Sequence, residues 1–158
     1  MKKMLMAALV AVLAGMNLSL TAAPAAQESV KEEKSVWLTD FKAAQQLAEK
    51  EKKVMLVDFT GSDWCPWCIK LDEEVFSQKA FQDYAAENLV LVMIDFPKKK
   101  QQTPAQKKAN DELAEKYKVD GFPTVLLLKP DGSVIVRTGY RRGGAAAYVK
   151  YLKKQLKR

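Results

Sequence analysis

The order of apolar and polar positions along the chain predicts an α/β protein. Two runs, at 54–59 and 89–96, are almost continuously apolar, and the second is typical of a central strand covered on both faces. Elsewhere apolar residues recur three and four positions apart, which predicts amphipathic helices. The predicted helices begin at Thr39 or Asp40, at Cys65 (running toward Phe76), at Ser77 (through Tyr84), at Pro104 (through Tyr117) and at Ala146 (through Leu156).

The remaining strands are short. Val36 and Trp37 are predicted to form an edge strand, and runs at 125–128 and 134–136 flank the turn sequence Lys129-Pro130-Asp131-Gly132-Ser133, which predicts a hairpin. Strands and helices alternate first, so the early strands are expected to be parallel, with right-handed crossovers. The hairpin adds an antiparallel edge. We therefore predict one domain over 36–158, a three-layer α/β/α sandwich with a mixed central sheet.

The first 25 residues do not fit this pattern. Lys2 and Lys3 precede an apolar run at 4–15, and small residues follow as far as Ala25. This is the organisation of a secretory signal peptide, with predicted cleavage after Ala25. The alternative, an uncleaved anchor, requires about 20 apolar residues, more than this run contains. Residues 26–35 are polar and are predicted to form a flexible N-terminus of an exported, periplasmic or secreted protein.

The candidate chemistry lies in Trp64-Cys65-Pro66-Trp67-Cys68, which contains the two cysteines of the chain. They are spaced C-x-x-C, between an apolar strand and a predicted helix. A dithiol at the start of a helix favours the thiolate, which is the species that attacks a disulfide. This pattern predicts a redox-active pair.

Other functions of the cysteines are less well supported. A structural disulfide across C-x-x-C closes a very small loop, so it restricts the unfolded chain little. Zinc usually takes four ligands, and the chain has two cysteines and no histidine. The lack of histidine also excludes Cys-His and Ser-His nucleophiles, and Ile69 replaces the histidine of a haem-attachment motif. We expect neither a metal nor a cofactor.

Positive charge is concentrated late in the chain. The formal net charge is +7, and residues 137–158 hold eight basic residues and no acidic one. A second cluster combines residues 98–100 with Lys107 and Lys108. A solvated basic face is the simpler interpretation, and weak contact with an acidic partner or an anionic membrane surface is the alternative. Nucleic acid is not an expected partner, because basic residues are not interleaved with aromatic ones.

Three motifs together resemble the thioredoxin family over residues 36–156. They are Val57-Asp58-Phe59 leading into Trp64-Cys65-x-x-Cys68, then Gly121-Phe122-Pro123-Thr124 before an apolar strand, then Lys129-Pro130-Asp131-Gly132. The lead-in 60–64 and the run 70–76 are most similar to exported bacterial thioredoxin-like proteins, including soluble domains of periplasmic thiol:disulfide interchange systems. Cytosolic thioredoxins carry Gly-Pro between the cysteines and a lead-in that is one residue shorter.

The resemblance implies a role for each cysteine. Cys65 would be the attacking nucleophile with an exposed sulfur, and the more buried Cys68 would resolve the mixed disulfide. Asp58, a carboxylate in an apolar strand, is expected to have a raised pKa and to transfer the proton of Cys68. A structural Asp facing the opposite side is the alternative.

The resemblance also implies a substrate-binding surface. Pro123 would be cis and leave the backbone of Phe122 free to pair with an extended substrate, although an ordinary trans turn is the alternative. Pro66 suits the first helical turn and, with Trp67, would influence the redox potential. Trp64 and Trp67 would flank the sulfur, the first in a mainly core position and the second as an exposed contact.

These residues predict a monomeric thiol:disulfide oxidoreductase that reduces protein disulfides. Its partners would be protein disulfide or dithiol substrates and an electron donor, either a membrane reductase or a thioredoxin-type protein. An oxidase or isomerase, a thiol peroxidase and a non-enzymatic binding module are the alternatives.

Overall fold

The computed structural model describes residues 37–157, so the predicted signal peptide and flexible segment lie outside the described residues. The elements follow in the order α1 (Phe41–Glu51), β1 (Val54–Thr60), α2 (Pro66–Leu71), a π-helical segment (Asp72–Phe76), α3 (Lys79–Asn88), β2 (Leu89–Asp95), α4 (Pro104–Lys116), β3 (Thr124–Leu128), β4 (Val134–Thr138) and α5 (Gly144–Leu156). Within 37–157, no helix combines the length and apolar character that a membrane crossing requires.

The four strands form one mixed sheet in the order β2-β1-β3-β4. β1 and β2 are parallel, in register from Val54 opposite Leu89 to Thr60 opposite Asp95. β3 is antiparallel to β1, and β4 is antiparallel to β3. The parallel pair and the antiparallel hairpin edge confirm the topology predicted from the order of elements.

The predicted central position of the 89–96 strand is wrong. β2 is the outermost of the named strands on its side, and β1 and β3 occupy the interior of the sheet. Leu38 forms an isolated bridge on the outer edge of β2, where it donates to the Leu91 carbonyl at 2.9 Å and accepts from the Met93 N–H at 2.8 Å. β2 is apolar because helices cover both of its faces. Such coverage is possible for a strand at the edge of the sheet as well as for one at its centre.

Alternate strand residues face two separate cores. Met55 and Val57 face the core that includes residues of α1 and α4, whereas Leu56 faces the core formed with α2, the π-helical segment, α3 and α5. The two-residue period of a strand places Asp58 on the same face as Leu56. This arrangement confirms the three-layer sandwich and directs Asp58 toward the side of the sheet that carries the cysteine-bearing helix.

Several predicted helix boundaries differ from the structure, and α5 begins at Gly144, two residues before the predicted Ala146. The helix after Cys65 ends as α-helix at Leu71 and continues as π-helix to Phe76. Ser77 does not cap the next helix, since its N–H closes the π-helical turn onto the Asp72 carbonyl at 2.8 Å. Gln78 takes the cap position instead, and α3 continues to Asn88. By contrast, Asp40 caps α1 as predicted, accepting from two backbone N–H groups.

Candidate active site

Cys65 and Cys68 form a disulfide at the start of α2. Cys65 is the N-cap residue and Pro66 occupies the first helical turn, where its missing N–H leaves no intrahelical bond unmade. The Cα atoms of the two cysteines are 5.3 Å apart. The Cys68 N–H donates to the Cys65 Sγ at 3.3 Å, and the Gly61 N–H donates to the Cys68 Sγ at 3.5 Å. Both sulfurs therefore accept hydrogen bonds from backbone N–H groups.

The two cysteines are almost equally covered in this disulfide form. Cys65 is 5% exposed and Cys68 is 4% exposed. The predicted contrast between an exposed Cys65 and a buried Cys68 is therefore wrong for the oxidised state. The backbone of Cys65 is bonded on both sides, since its N–H donates to the Gly61 carbonyl at 2.9 Å and its own carbonyl accepts the first bonds of α2.

Pro66 and Trp67 form the outer surface between the cysteines. Both are exposed, and Trp67 has 53% of its surface accessible. The Trp67 ring packs against the Tyr140 ring with centroids 5.3 Å apart. The Tyr140 hydroxyl donates to the Glu74 carboxylate at 2.6 Å, and Lys70 pairs with the same carboxylate at 2.9 Å. The exposed Trp67 indole therefore packs on a tyrosine side chain that a hydrogen bond to Glu74 holds in position.

Trp64 is held much more firmly than Trp67. Its indole N–H donates to the Phe96 carbonyl at 2.7 Å, and the Lys98 ammonium lies 3.8 Å from a ring centroid of the indole. The Phe122 ring meets it edge-on at 6.0 Å and itself stacks on the Phe96 ring at 5.1 Å. Trp64, Phe96 and Phe122 therefore join the cysteine lead-in, the end of β2 and the loop before β3.

Sequence reasoning missed two residues of the lead-in, Ser62 and Asp63. The Ser62 N–H and hydroxyl donate to the Asp95 carboxylate at 2.9 and 2.6 Å. Asp63 accepts from the backbone N–H groups of residues 98, 99 and 100 at 2.8 to 2.9 Å. The hydrogen bond from the Lys98 N–H is the largest cause that holds the pKa of Asp63 below its ordinary value. The sequence signal for this structural role was the lead-in before Cys65, which is one residue longer than in cytosolic thioredoxins.

The Phe122–Pro123 peptide bond is cis, as the resemblance implies. Thr124 steadies the turn by donating its hydroxyl to the Gly121 carbonyl at 2.7 Å. On the other side, a Cβ added at Gly139 would lie 2.8 Å from the Pro123 carbonyl oxygen. Gly139 thus permits the chain after β4 to pass directly against the proline loop.

Asp58 is buried without a full set of partners. It is 4% exposed, and within residues 37–157 its Oδ1 accepts no hydrogen bond. Burial, followed by the negative charges of Asp72 and Asp95, raises the pKa of Asp58 from 3.8 to about 8. The raised pKa agrees with the expectation from the apolar strand, and the unpartnered oxygen disagrees with the alternative of a satisfied structural carboxylate.

In the described part of the chain, cysteine, aspartate and glutamate side chains form no group of three or more that could bind a metal ion. The site instead combines a disulfide at a helix start, two tryptophans, a cis-proline turn and a protonatable buried carboxyl group.

A family model described as a thioredoxin-like domain matches residues 41–156. The chain belongs to the thioredoxin-like family. Among curated proteins, this thioredoxin-like chain is 42% identical over 98 residues to the disulfide bond reductase DsbH of Chlamydia pneumoniae. That match covers 62% of this chain and 59% of the relative, so it spans less than two thirds of the relative's length.

Solved structures agree with the assignment to the thioredoxin-like family. A structure of a DsbH oxidoreductase is 37% identical, covers 77% of this chain and 84% of its own, and has a TM-score of 0.74. The reduced C-terminal domain of DsbD from Neisseria meningitidis is 26% identical, with coverage of 72% and 92% and a TM-score of 0.51.

Proposed function

We propose that the chain is an exported thiol:disulfide oxidoreductase that reduces protein disulfides through Cys65 and Cys68. The observation that carries this proposal is the position of the cysteine pair. Cys65 caps α2, and the Cys68 N–H donates to its sulfur at 3.3 Å. In the reduced protein, the same N–H and the positive end of the helix would stabilise a thiolate at Cys65.

The reaction starts from the dithiol form. The Cys65 thiolate attacks one sulfur of a substrate disulfide, so a Cys65–substrate bond forms and the other substrate sulfur leaves as a thiolate that takes up a proton. Cys68 then loses its proton and attacks the Cys65 sulfur. This step forms the Cys65–Cys68 disulfide and releases the second substrate thiolate. Two electrons pass from the enzyme to the substrate, and the enzyme ends in the disulfide form.

Asp58 is proposed to carry the proton of Cys68. Its strand places it on the face of the sheet toward α2, and Cys68 is buried on that side. A carboxyl group with a pKa of about 8 exchanges protons readily near neutral pH. In its ionised form it would accept the Cys68 proton directly or through one water molecule, and in its neutral form it would return it.

Trp64, Pro66, Trp67, Phe122 and Pro123 are proposed to contact the substrate. Pro66 and Trp67 are exposed beside the cysteines, and Phe122 packs against Trp64. The backbone at Phe122 and the cis-proline turn would pair with an extended substrate segment, which adds main-chain hydrogen bonds to the apolar contact.

Reduction of substrates is the proposed direction because the similar curated protein is described as a disulfide bond reductase. After each turnover the Cys65–Cys68 disulfide would need two electrons from a dithiol donor, either a membrane reductase or a thioredoxin-type protein. The protein is proposed to act as a monomer.

The mechanism is tested with two matched serine variants. Cys65→Ser should abolish reduction of a model protein disulfide, whereas Cys68→Ser should accumulate a mixed disulfide that mass spectrometry detects as an adduct. Reduction by Cys65→Ser at the wild-type rate would refute the mechanism.

The direction is tested separately, by equilibrating the cysteine pair with a glutathione or dithiothreitol buffer. A reduction potential of about −270 mV would support a reductase, and one of about −120 mV would instead support an oxidase.

A further inference from the structure

Two basic segments are connected to the two tryptophans that flank the cysteine pair. One consists of Lys98, Lys99 and Lys100, which follow β2, and the other consists of Arg141 and Arg142, which follow β4. All five side chains are exposed. We name them together the basic rim.

The lysine side of the basic rim is joined to Trp64. The Lys98 ammonium lies over the indole at 3.8 Å, which places one positive charge directly beside the residue that precedes Cys65. The Asp63 carboxylate accepts the three backbone N–H groups of this segment and anchors its backbone, and the Lys100 ammonium donates to the Ser62 hydroxyl at 3.5 Å.

The arginine side of the basic rim is connected to Trp67 through Tyr140. The Trp67 ring packs on Tyr140 at 5.3 Å, and Tyr140 directly precedes the two arginines. The Arg141 guanidinium lies 3.9 Å from the centroid of the Tyr151 ring, which holds this segment against α5. The two tryptophans that flank the cysteines therefore each lead to a cluster of positive charge.

The Asp63 carboxylate lies against the lysine side of the basic rim, where the Lys98 N–H, the other two backbone N–H groups and the Lys100 charge hold the pKa of Asp63 below its ordinary value. Asp95 accepts from Ser62, and Glu74 is bonded by Lys70 and Tyr140. In the described part of the chain, none of the five rim residues forms an ion pair with a carboxylate. Among the described residues, these five positive charges face one carboxylate bonded to their backbone, Asp63, so the basic rim keeps an excess of positive charge for a ligand.

We propose that the basic rim selects disulfide substrates whose cysteines are flanked by acidic residues. The inference rests on the proposed disulfide reduction and adds a substrate class to it. Charge of opposite sign on the substrate would be attracted to both sides of the Cys65 sulfur while apolar residues contact the tryptophans. Such complementarity mainly raises the rate of productive encounter, by about tenfold or more at low salt.

The test compares three disulfide peptides of one sequence that carry Glu, Gln or Lys on both sides of each cysteine. The second-order rate constant of the pre-reduced protein with each peptide is divided by that of dithiothreitol, whose attacking thiolate carries the same single negative charge as a Cys65 thiolate. This division removes intrinsic differences in disulfide reactivity. We expect the Glu peptide to exceed the Lys peptide by about tenfold at low salt. The ratio should approach one in about 1 M salt, where the screening length falls to about 3 Å.

Matched double variants locate the effect. Lys99→Glu with Arg142→Glu reverses one charge on each side of the basic rim and should reverse or abolish the preference for Glu peptides. Lys150→Glu with Lys154→Glu makes the same change in net charge on α5, at least six residues beyond its start, and should retain the preference.

The outcomes separate the two proposals. Equal normalised rates for the three peptides, or the same loss of preference in the α5 control, would refute the role of the basic rim. Neither result would refute the proposed disulfide reduction. If the wild-type protein reduces none of the three peptides, the proposed function and the substrate class are both refuted.

Discussion

Replacement of Asp58 by Asn should change how the stability of this protein depends on pH. Asp58 is 4% exposed, and its Oδ1 lacks a hydrogen-bond partner within residues 37–157. Burial and the nearby carboxylates of Asp72 and Asp95 raise its pKa from 3.8 to about 8. The folded protein therefore keeps a proton on Asp58 over a pH range in which the unfolded chain has released it.

The sign and size of the effect follow from this difference in proton binding. Below pH 3.8 both states are protonated, so the ionisation of Asp58 causes no loss of stability. Between that pH and about 8 the unfolded state binds fewer protons, so the free energy of unfolding falls by about 1.4 kcal/mol per pH unit. Over the full interval the loss is about 6 kcal/mol. Above the folded-state pKa the loss is complete and constant.

Denaturant unfolding of the oxidised protein measures this dependence, because the intact disulfide keeps both cysteines from titrating. The free energy of unfolding of Asp58→Asn minus that of wild type should rise steadily from about pH 5 to about pH 8 and then level off. A buried amide adds a constant offset, which does not affect the slope. Asp63→Asn is the control, since its lowered pKa predicts a constant difference over this range. A constant difference for Asp58→Asn as well would refute the reasoning.

Three further substitutions test the packing around the site. Gly139→Ala would place a Cβ 2.8 Å from the Pro123 carbonyl oxygen and should lower stability by about 1 to 3 kcal/mol in urea unfolding; no loss would show that the loops can separate. Asp63→Ala removes the acceptor of three N–H groups and should speed their amide exchange, and unchanged exchange would contradict its anchoring role. Asn110→Ala removes the buried bond to the Asp95 carbonyl and should destabilise by about 1 to 3 kcal/mol, whereas an unchanged thermal midpoint would argue against this contribution.

Much of the fold could be predicted because the deciding signals are local. Helical spacing, caps and turn residues depend on neighbours a few positions away, and they identified the hairpin and the start of α1. Local patterns were less reliable where two elements compete for one residue. Ser77 has good N-cap chemistry, yet its N–H completes the π-helical turn with Asp72 and leaves the cap position to Gln78.

The sequence by itself determined the nature of the chemistry, since the two cysteines, their spacing and the proline after Cys65 are readable without a structure. It also determined that Asp58 would be costly to ionise, because an apolar strand surrounds it. Only the tertiary structure decided that its Oδ1 has no partner, that Trp64 meets Phe122 and Lys98, and that β2 lies outermost in the sheet. These features join segments tens of residues apart, and such contacts are set by how the layers pack rather than by local preference.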